Sequence, residues 1–228
     1  MSGLLERTTT MRLPGGGGYR YGAVLLLTLT MATFALIAPD GTAIRLLELT
    51  VAGAALLAAM LTSGARTDVR RAAILSIVVL LVLSVVAAIA GAPPGVVALA
   101  ATAVVNATTM AVIVGGLVRL VEERGVGVQA VFGALAIYLL LGLTFGFFIG
   151  AIAMGFSGDY FAQGTDGTQA QRLYFSFTTL TTTGFGDLTA RTPAGRALAV
   201  LEMLIGQLYL VTVIATLVGN LRGRHNSR

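Results

Sequence analysis

The chain contains no cysteine, no tryptophan and no lysine, and it has few charged residues of any kind. Without cysteine there can be neither a disulfide framework nor a thiolate metal site. The single histidine, His225, lies in the basic tail, which argues against a histidine-based metal or catalytic centre. Only 11% of the 228 residues are charged, whereas soluble domains average roughly a quarter. No paired carboxylates converge at one place either, so the sequence indicates neither an enzyme nor a bound cofactor.

Hydrophobic residues make up 56% of the chain and are concentrated in long runs. A bilayer core of about 30 Å needs roughly 20 apolar residues per helix. Six runs approach that length and predict an all-α membrane protein with six transmembrane helices. They are Tyr21–Ala38, Leu49–Ala65 (with a start as early as Thr42), Ala72–Ala90, Gly95–Val118, Val128–Met154 and Ala197–Leu221. Glu202, in the last run, is the only acid that this division places inside a span.

The arginines are distributed unequally between the two sides of the predicted spans. If the N-terminus is cytoplasmic, eleven of the fifteen arginines fall on that side and four on the other. This agrees with the positive-inside rule. We therefore expect both termini in the cytoplasm of a cell, as in a bacterial inner membrane, and the loop between spans five and six outside.

The sequence divides into four parts. Residues 1–20 read as a disordered cytoplasmic lead, 21–121 as a four-helix membrane domain, 128–221 as a second membrane unit and 222–228 as a short basic tail. The four front helices resemble a degenerate voltage sensor, but the fourth has no arginine before Arg119 at its cytoplasmic end. A sensor needs several arginines at membrane depth, so conventional voltage gating is not expected.

The second unit contains an uncharged stretch too short to cross a membrane as a helix. It runs over fourteen residues from Leu173 to Gly186. Its first part has no glycine or proline and can form about three helical turns, whereas Gly184 and Gly186 break the helix in its second part. Non-helical backbone at membrane depth is tolerated only where protein or a watery cavity surrounds it. The stretch therefore predicts a re-entrant helix and loop between the last two spans.

Alternating glycines allow a strand to alternate between left- and right-handed conformations, which points its carbonyl oxygens in one direction. Four such strands around an axis form stacked rings of oxygens that can replace the water shell of a cation. The short helix before the strand would direct the negative end of its dipole toward that cation.

The motif "TTTGFGD" resembles the signature of the potassium channel family, usually written T-V-G-Y/F-G-D, and the resemblance covers roughly residues 128–221. It implies potassium as the permeant ion, a homotetramer, and an extracellular pore mouth at Asp187. The implied ion ligands are the carbonyls of Thr182, Thr183, Gly184, Phe185 and Gly186, with the Thr182 hydroxyl. Thr183 stands in place of the usual valine, and Phe185 in place of tyrosine.

The same resemblance suggests supporting and gating residues. Gly206 falls 24 residues after Thr182, where the family commonly has a hinge glycine. Leu210, Ile214 and Leu217 continue its face and are candidates for a hydrophobic inner gate.

Two residues have both a supporting and an ordinary interpretation. Tyr174 either hydrogen-bonds the acid of the filter or is a plain interfacial aromatic residue. Glu202 either supports the filter by hydrogen-bonding threonines of the short helix, or pairs at the interface with Arg196 or Arg191.

The sequence therefore predicts a subunit of a potassium-selective channel that conducts passively. The alternatives are a weakly selective monovalent cation channel, a non-conducting membrane scaffold, and a Trk/Ktr-type transporter subunit, although the latter has four pore repeats in one chain. Membrane lipids are the other expected partner. Neither nucleic acid nor a separate regulatory subunit is indicated.

Overall fold

A computed structural model describes residues 20–63, 71, 75, 78, 91 and 93–225 of the chain. In these residues the named elements are all α-helices, and two isolated β-bridges join Phe161 to Thr165 and to Ala190. The helices are α1 (Tyr21–Ile37), α2 (Thr42–Thr62), α3 (Pro94–Arg124), α4 (Val128–Gly155), α5 (Gln169–Leu180) and α6 (Pro193–His225). The prediction of an all-helical chain is confirmed for this part of the protein.

Four of the described helices are long and apolar enough to cross a membrane. These spans are Ala43–Thr62, Pro94–Arg124, Val128–Gly155 and Pro193–Val213. Helix α1 is apolar but has only 17 residues, which corresponds to about 25 Å of helix. The predicted span Ala72–Ala90 lies outside the described residues except for positions 75 and 78, and so do residues 1–19 of the predicted N-terminal segment and the loop at 64–70. The six-span arrangement therefore stays a prediction.

Helix α2 decides between the two starts considered for the second span. It begins at Thr42, directly after Gly41, which is the earlier of the two. Its first two turns thus include Arg45 and Glu48, and Glu48 is only 2% exposed. The expectation that Glu202 is the only acid within a span is wrong, because the span Ala43–Thr62 contains Glu48. Charged residues interrupt the apolar run in the sequence, but they do not end the helix.

Helix α4 lies at the centre of the described fold and contacts α1, α3, α5 and α6. The neighbouring α3 and α4 meet at the turn 125–127, where Gly125 has a φ of 72° that favours glycine. Buried apolar side chains from α1, α3 and α4 form the main core, among them Tyr21, Ile113 and Leu140. The short helix α5 packs against this bundle on the side of α4.

Three glycines of α4, each four residues apart, form the surface on which α5 rests. They face three side chains of α5 that are also four residues apart. The pairs are Gly142 with Phe177, Gly146 with Leu173, and Gly150 with Gln169. In the first two pairs an added Cβ atom would lie 2.5 Å from the facing side chain, well inside van der Waals contact. The absence of side chains at these positions therefore sets how closely α5 approaches α4.

Candidate functional site

The site is built around the short helix α5, whose start is determined by a capping box. Thr168, the N-cap residue, accepts a hydrogen bond on its side chain from the Gln171 amide at 3.2 Å. The Gln171 side chain in turn accepts from the Thr168 amide at 2.8 Å. This reciprocal pair satisfies two amides at the helix start. Helix α5 ends at Leu180, and the chain continues as irregular backbone.

The backbone after α5 alternates in handedness from residue to residue. Thr182, Gly184 and Gly186 have φ values of 58°, 51° and 82°, whereas Thr183 and Phe185 do not have positive φ. Glycine adopts such angles easily, but a left-handed β-branched residue is a genuine outlier. At Thr182 the left-handed conformation costs about 1–2 kcal/mol, and strain of this kind concentrates at functional sites.

Hydrogen bonds to the end of α5 hold the start of this segment in place. The amides of Thr183 and Gly184 both donate to the carbonyl of Thr178, at 2.9 and 3.1 Å. The hydroxyls of Thr181 and Thr183 lie 2.9 Å apart and share a hydrogen bond. The Thr183 side chain is therefore bonded back toward the end of α5.

The segment from Thr182 to Asp187, called here the 182–187 ribbon, is exposed along its whole length. A Cβ atom added at Gly184 or Gly186 would meet nothing within 4 Å, and Phe185 is 69% exposed. A cavity of about 470 Å³ separates the ribbon from the first turns of α6. Its lining includes Thr182, Gly184, Gly186, Val200 and Met203. Among the described residues, the ribbon is therefore exposed and not packed closely against α6.

Glu202 of α6 is completely buried beside α5. Its Oε1 atom accepts a hydrogen bond from the Ser176 hydroxyl at 2.5 Å, and the same hydroxyl lies 2.8 Å from the carbonyl of Gly142. The contact is with a serine of α5 and not with one of its threonines. This polar contact therefore joins residues from three helices, α4, α5 and α6.

The two arginines considered as partners of Glu202 have other contacts. Arg191 forms an ion pair with Asp159 at 3.2 Å, and both side chains are substantially exposed. Arg196 donates from Nε to the carbonyl of Ala190 at 3.0 Å. Such an exposed ion pair contributes about 0–1 kcal/mol, so it has little weight in holding the loop.

Tyr174 of α5 contacts the ribbon directly. Its ring stacks on that of Phe185, with centroids 6.2 Å apart and planes 4° from parallel. Desolvation, followed by a hydrogen bond with Asp187 and the charge of that carboxylate, raises the pKa of the Tyr174 hydroxyl. Tyr174 is therefore in contact with both the aromatic and the acidic residue of the motif.

The loop between α4 and α5 is anchored by a buried aromatic cluster. Tyr160 is 7% exposed and meets the edges of Phe161 and Phe175 with centroid distances of 5.1 and 6.4 Å. Burial, with a smaller contribution from the charge of Glu202, raises the pKa of Tyr160 to about 12. This cluster fixes the loop against α5 through Phe175.

The predicted hinge glycine, Gly206, lies against the C-terminal end of α5. A Cβ atom added there would come within 2.5 Å of the Leu180 carbonyl oxygen. One turn further along, Leu210 is half-buried. The side chains of Ile214 and Leu217 lie outside the described residues. The structure thus gives Gly206 a close contact with α5, while its predicted role as a hinge stays a prediction.

Sequence reasoning missed several residues of this arrangement. Ser176 was not singled out, although the single serine between Phe175 and Phe177 is a polar residue at a buried position. The glycines of α4 were also missed, although their spacing of four residues is visible in the sequence. In the described part of the chain no group of three His, Cys, Asp or Glu residues could hold a metal ion.

A family model described as "Ion channel" matches residues 133–222, from the second turn of α4 to near the end of α6. The match supports an ion channel, and it covers α5, the 182–187 ribbon and the Glu202 contact. No curated protein and no solved structure matches the chain significantly.

Proposed function

We propose that the chain is one subunit of a homotetrameric channel that conducts potassium passively and selectively. The observation that supports this most directly is the alternating handedness at Thr182, Gly184 and Gly186 in an exposed ribbon. Backbone that alternates in this way can present consecutive carbonyl oxygens to one side. A cation then exchanges its hydration shell for protein oxygens.

In this proposal the ion is bound by backbone and not by charged side chains. The ligands are the carbonyls of residues 182–186 and the Thr182 hydroxyl. Asp187 lies at the outer mouth, where its carboxylate attracts cations. The C-terminal end of α5 adds a negative dipole at the inner side. No reaction takes place, because the ions move down their electrochemical gradient.

The exposure of the ribbon supports an assembly of several chains. A single ribbon supplies ligands on only one side of an ion, so four copies around an axis are needed to surround it. The exposure of residues 182–187 along their whole length leaves room for further copies around such an axis. Potassium is the permeant ion of this proposal, and the chain needs no cofactor for it.

Several contacts support specific roles around the ribbon. We assign Tyr174 and Glu202 to positioning the ribbon, Tyr174 through Phe185 and Asp187, and Glu202 through Ser176 of α5. Gly206 and Leu210 remain the proposed hinge and the start of the inner gate. Ile214 and Leu217 extend that proposal beyond the described side chains.

The distribution of arginines supports the proposed placement in a membrane. Eleven of fifteen lie on the side of both termini, which we therefore assign to the cytoplasm of a cell, as in a bacterial inner membrane. The ribbon then opens toward the outside, and lipids surround the four apolar spans.

The proposal is tested by reconstituting the purified protein into liposomes with a potassium gradient and a fluorescent flux readout. We expect potassium flux that exceeds sodium flux and that barium blocks. Gly184→Ala and Gly186→Ala should abolish the flux, because each forces a side chain into a left-handed conformation at about 1–2 kcal/mol per chain. Gly115→Ala is the matched control, since a Cβ atom there meets nothing within 4 Å and its φ is ordinary.

Two results would change the assignment. Flux that persists unchanged in both filter variants would show that the ribbon is not the conduction path. Equal sodium and potassium flux through the unmodified protein would instead favour the weakly selective cation channel.

A further inference from the structure

One hydrogen bond joins the front of the chain to the start of α5. The Asp40 carboxylate, in the exposed turn between α1 and α2, accepts from the Gln169 amide at 3.1 Å. The two residues are 129 positions apart in sequence. Gln169 is the first residue of α5, so its amide has no partner within the helix. The capping box at Thr168 and Gln171 satisfies other amides and leaves this one to Asp40.

The side chains beneath this bond are polar and buried. Gln169 and Arg172 are each only 4% exposed. The Arg172 Nε atom donates to the carbonyl of Asp166 at 2.9 Å. Desolvation lowers the pKa of Arg172, while the negative charge of Asp40 acts in the opposite direction. Asp40 therefore stabilises both the positive end of the α5 dipole and a buried guanidinium group near it.

Helix α4 closes the other side of this polar cluster. A Cβ atom added at Gly150 would lie 3.0 Å from the Gln169 side-chain oxygen and 3.3 Å from the Arg172 guanidinium. The first turn of α5 is thus held between Gly150 on one side and the α1–α2 turn on the other. Helix α1 itself also contacts α5.

The opposite end of α5 holds the 182–187 ribbon. The Thr178 carbonyl accepts from the amides of Thr183 and Gly184. A helix of 12 residues is about 18 Å long and moves as a rigid unit. A displacement at its first residue is therefore transmitted to the carbonyl that holds the ribbon.

We propose that Asp40 is a positioning residue for the filter, and that the front helices brace α5 through its bond to the Gln169 amide. This inference rests on the proposed function. It gives the front helices a task that requires no sensor arginines: they fix the angle at which α5 meets the ribbon. The permeant ion is recognised by the ribbon, and Asp40 acts on it only through α5.

The acceptor side is tested with Asp40→Ala and Asp40→Asn in the full chain, reconstituted in liposomes. Hydrogen–deuterium exchange of the peptide that contains residues 168–176 reports the amide directly, and the potassium-to-sodium flux ratio reports the ribbon. In Asp40→Ala we expect the amide hydrogens of this peptide to exchange about fivefold faster, as after the loss of a helix cap. We also expect this variant to lose its preference for potassium over sodium. Asp40→Asn keeps a side-chain oxygen that can accept the hydrogen bond but loses the negative charge, so it should be disturbed clearly less than Asp40→Ala.

The donor side is tested with Gln169→Pro, which removes the same hydrogen bond from α5. Proline is well tolerated at the first helical position, and Thr168 already has the extended conformation that a following proline requires, with ψ of 168°. Gln169→Ala is the matched control, because it removes the side chain and keeps the amide. The double variant Asp40→Ala/Gln169→Pro should have the flux ratio of either single variant, because both remove one bond.

The possible outcomes separate this inference from the proposed function. If the unmodified protein conducts and Asp40→Ala leaves both exchange and flux ratio unchanged, the brace is refuted and the channel stands. If Asp40→Asn is disturbed as strongly as Asp40→Ala, the hydrogen bond does not position α5 and the inference is wrong. The same holds if the effects of Asp40→Ala and Gln169→Pro add up in the double variant. Faster exchange in Asp40→Ala and Gln169→Pro supports the brace even where no flux is measured.

Discussion

Replacing Gly206 by alanine tests how α6 and the end of α5 fit together. The added Cβ atom would lie 2.5 Å from the Leu180 carbonyl oxygen and 2.7 Å from the Leu180 Cδ1 atom. Side-chain rotation can move the second atom but not the first, which belongs to the backbone. The hydroxyl of Tyr138 also donates to this carbonyl, at 3.4 Å. Relief therefore requires α6 to move away from α5, or Leu180 to move and displace the ribbon that follows it.

The expected cost is the difference between two opposing effects. Overpacking of a buried contact costs about 1–3 kcal/mol, and a clash with backbone belongs to the upper half of that range. Alanine in place of glycine inside a helix contributes about 1 kcal/mol in the stabilising direction. Gly206→Ala should therefore destabilise each chain by about 1–2 kcal/mol. In the proposed homotetramer this loss is multiplied, because every subunit contains the clash.

The matched control is Gly115→Ala in α3, where the added Cβ atom meets nothing within 4 Å. This control should be as stable as the unmodified protein or slightly more stable. Because the chain has no tryptophan, stability is best followed by heating the detergent-solubilised protein and measuring the intact fraction by size-exclusion chromatography. We expect Gly206→Ala to dissociate at a lower temperature and to show reduced potassium flux.

The same experiment distinguishes close packing from a hinge. A hinge glycine is needed for flexing, so alanine would alter opening while the resting assembly kept its thermal stability. If Gly206→Ala matches Gly115→Ala in thermal stability, the packing argument is refuted. A change in flux alone would then favour the hinge that sequence spacing predicts.

Three further substitutions test the contacts around α5 and α6. Ser176→Ala leaves the buried carboxyl of Glu202 without its hydrogen bond and should destabilise the fold by about 1–3 kcal/mol, whereas the exposed Ser157→Ala should stay within about 0.5 kcal/mol on the same heating assay. Tyr209→Phe removes a 2.6 Å hydrogen bond from α6 to a carbonyl of α4 and should cost about 0.5–1.5 kcal/mol in chemical denaturation; an unchanged midpoint would contradict it. Since the pKa of Tyr160 is raised from 10 to about 12, its folded neutral form is favoured, and about 2–3 kcal/mol of stability present below pH 10 should be lost as the pH rises through 12. Tyr160→Phe should remove that loss in circular dichroism measured between pH 9 and about 12, and identical alkaline unfolding of both proteins would refute the assignment.

Features determined by local sequence were predictable. Apolar runs of sufficient length indicated the helices now seen as α3, α4 and α6, and the lack of glycine before Gly184 indicated the short helix α5. The left-handed angles at Gly184 and Gly186 follow from residue type, because only glycine adopts them at little cost. The left-handed Thr182 does not follow from its residue type, and no sequence pattern indicated it.

Features determined by packing between helices were not predictable from one sequence. The hydroxyl that Glu202 meets belongs to Ser176, because the rotation of α5 about its axis decides which polar residue faces α6. That rotation depends on glycines of a different helix. Similarly, the start of the second span stayed open between Thr42 and Leu49, because charged residues interrupt the apolar run there, whereas helix α2 continues through them and buries the carboxyl group of Glu48.

The glycines of α4 show how local sequence and packing between helices together determine the position of the ribbon. Gly142 and Gly146 allow Phe177 and Leu173 to approach the backbone of α4. The lack of side chains on this face of α4 therefore determines where α5 packs. Once α5 is seated, its start meets Asp40 and its end supports the ribbon. The motif therefore determines the backbone angles of the ribbon, while its position in the protein is determined by a spacing of small residues about forty positions earlier in the chain. A chain with the same motif but bulkier residues at these glycines would keep the alternating angles and place the ribbon elsewhere.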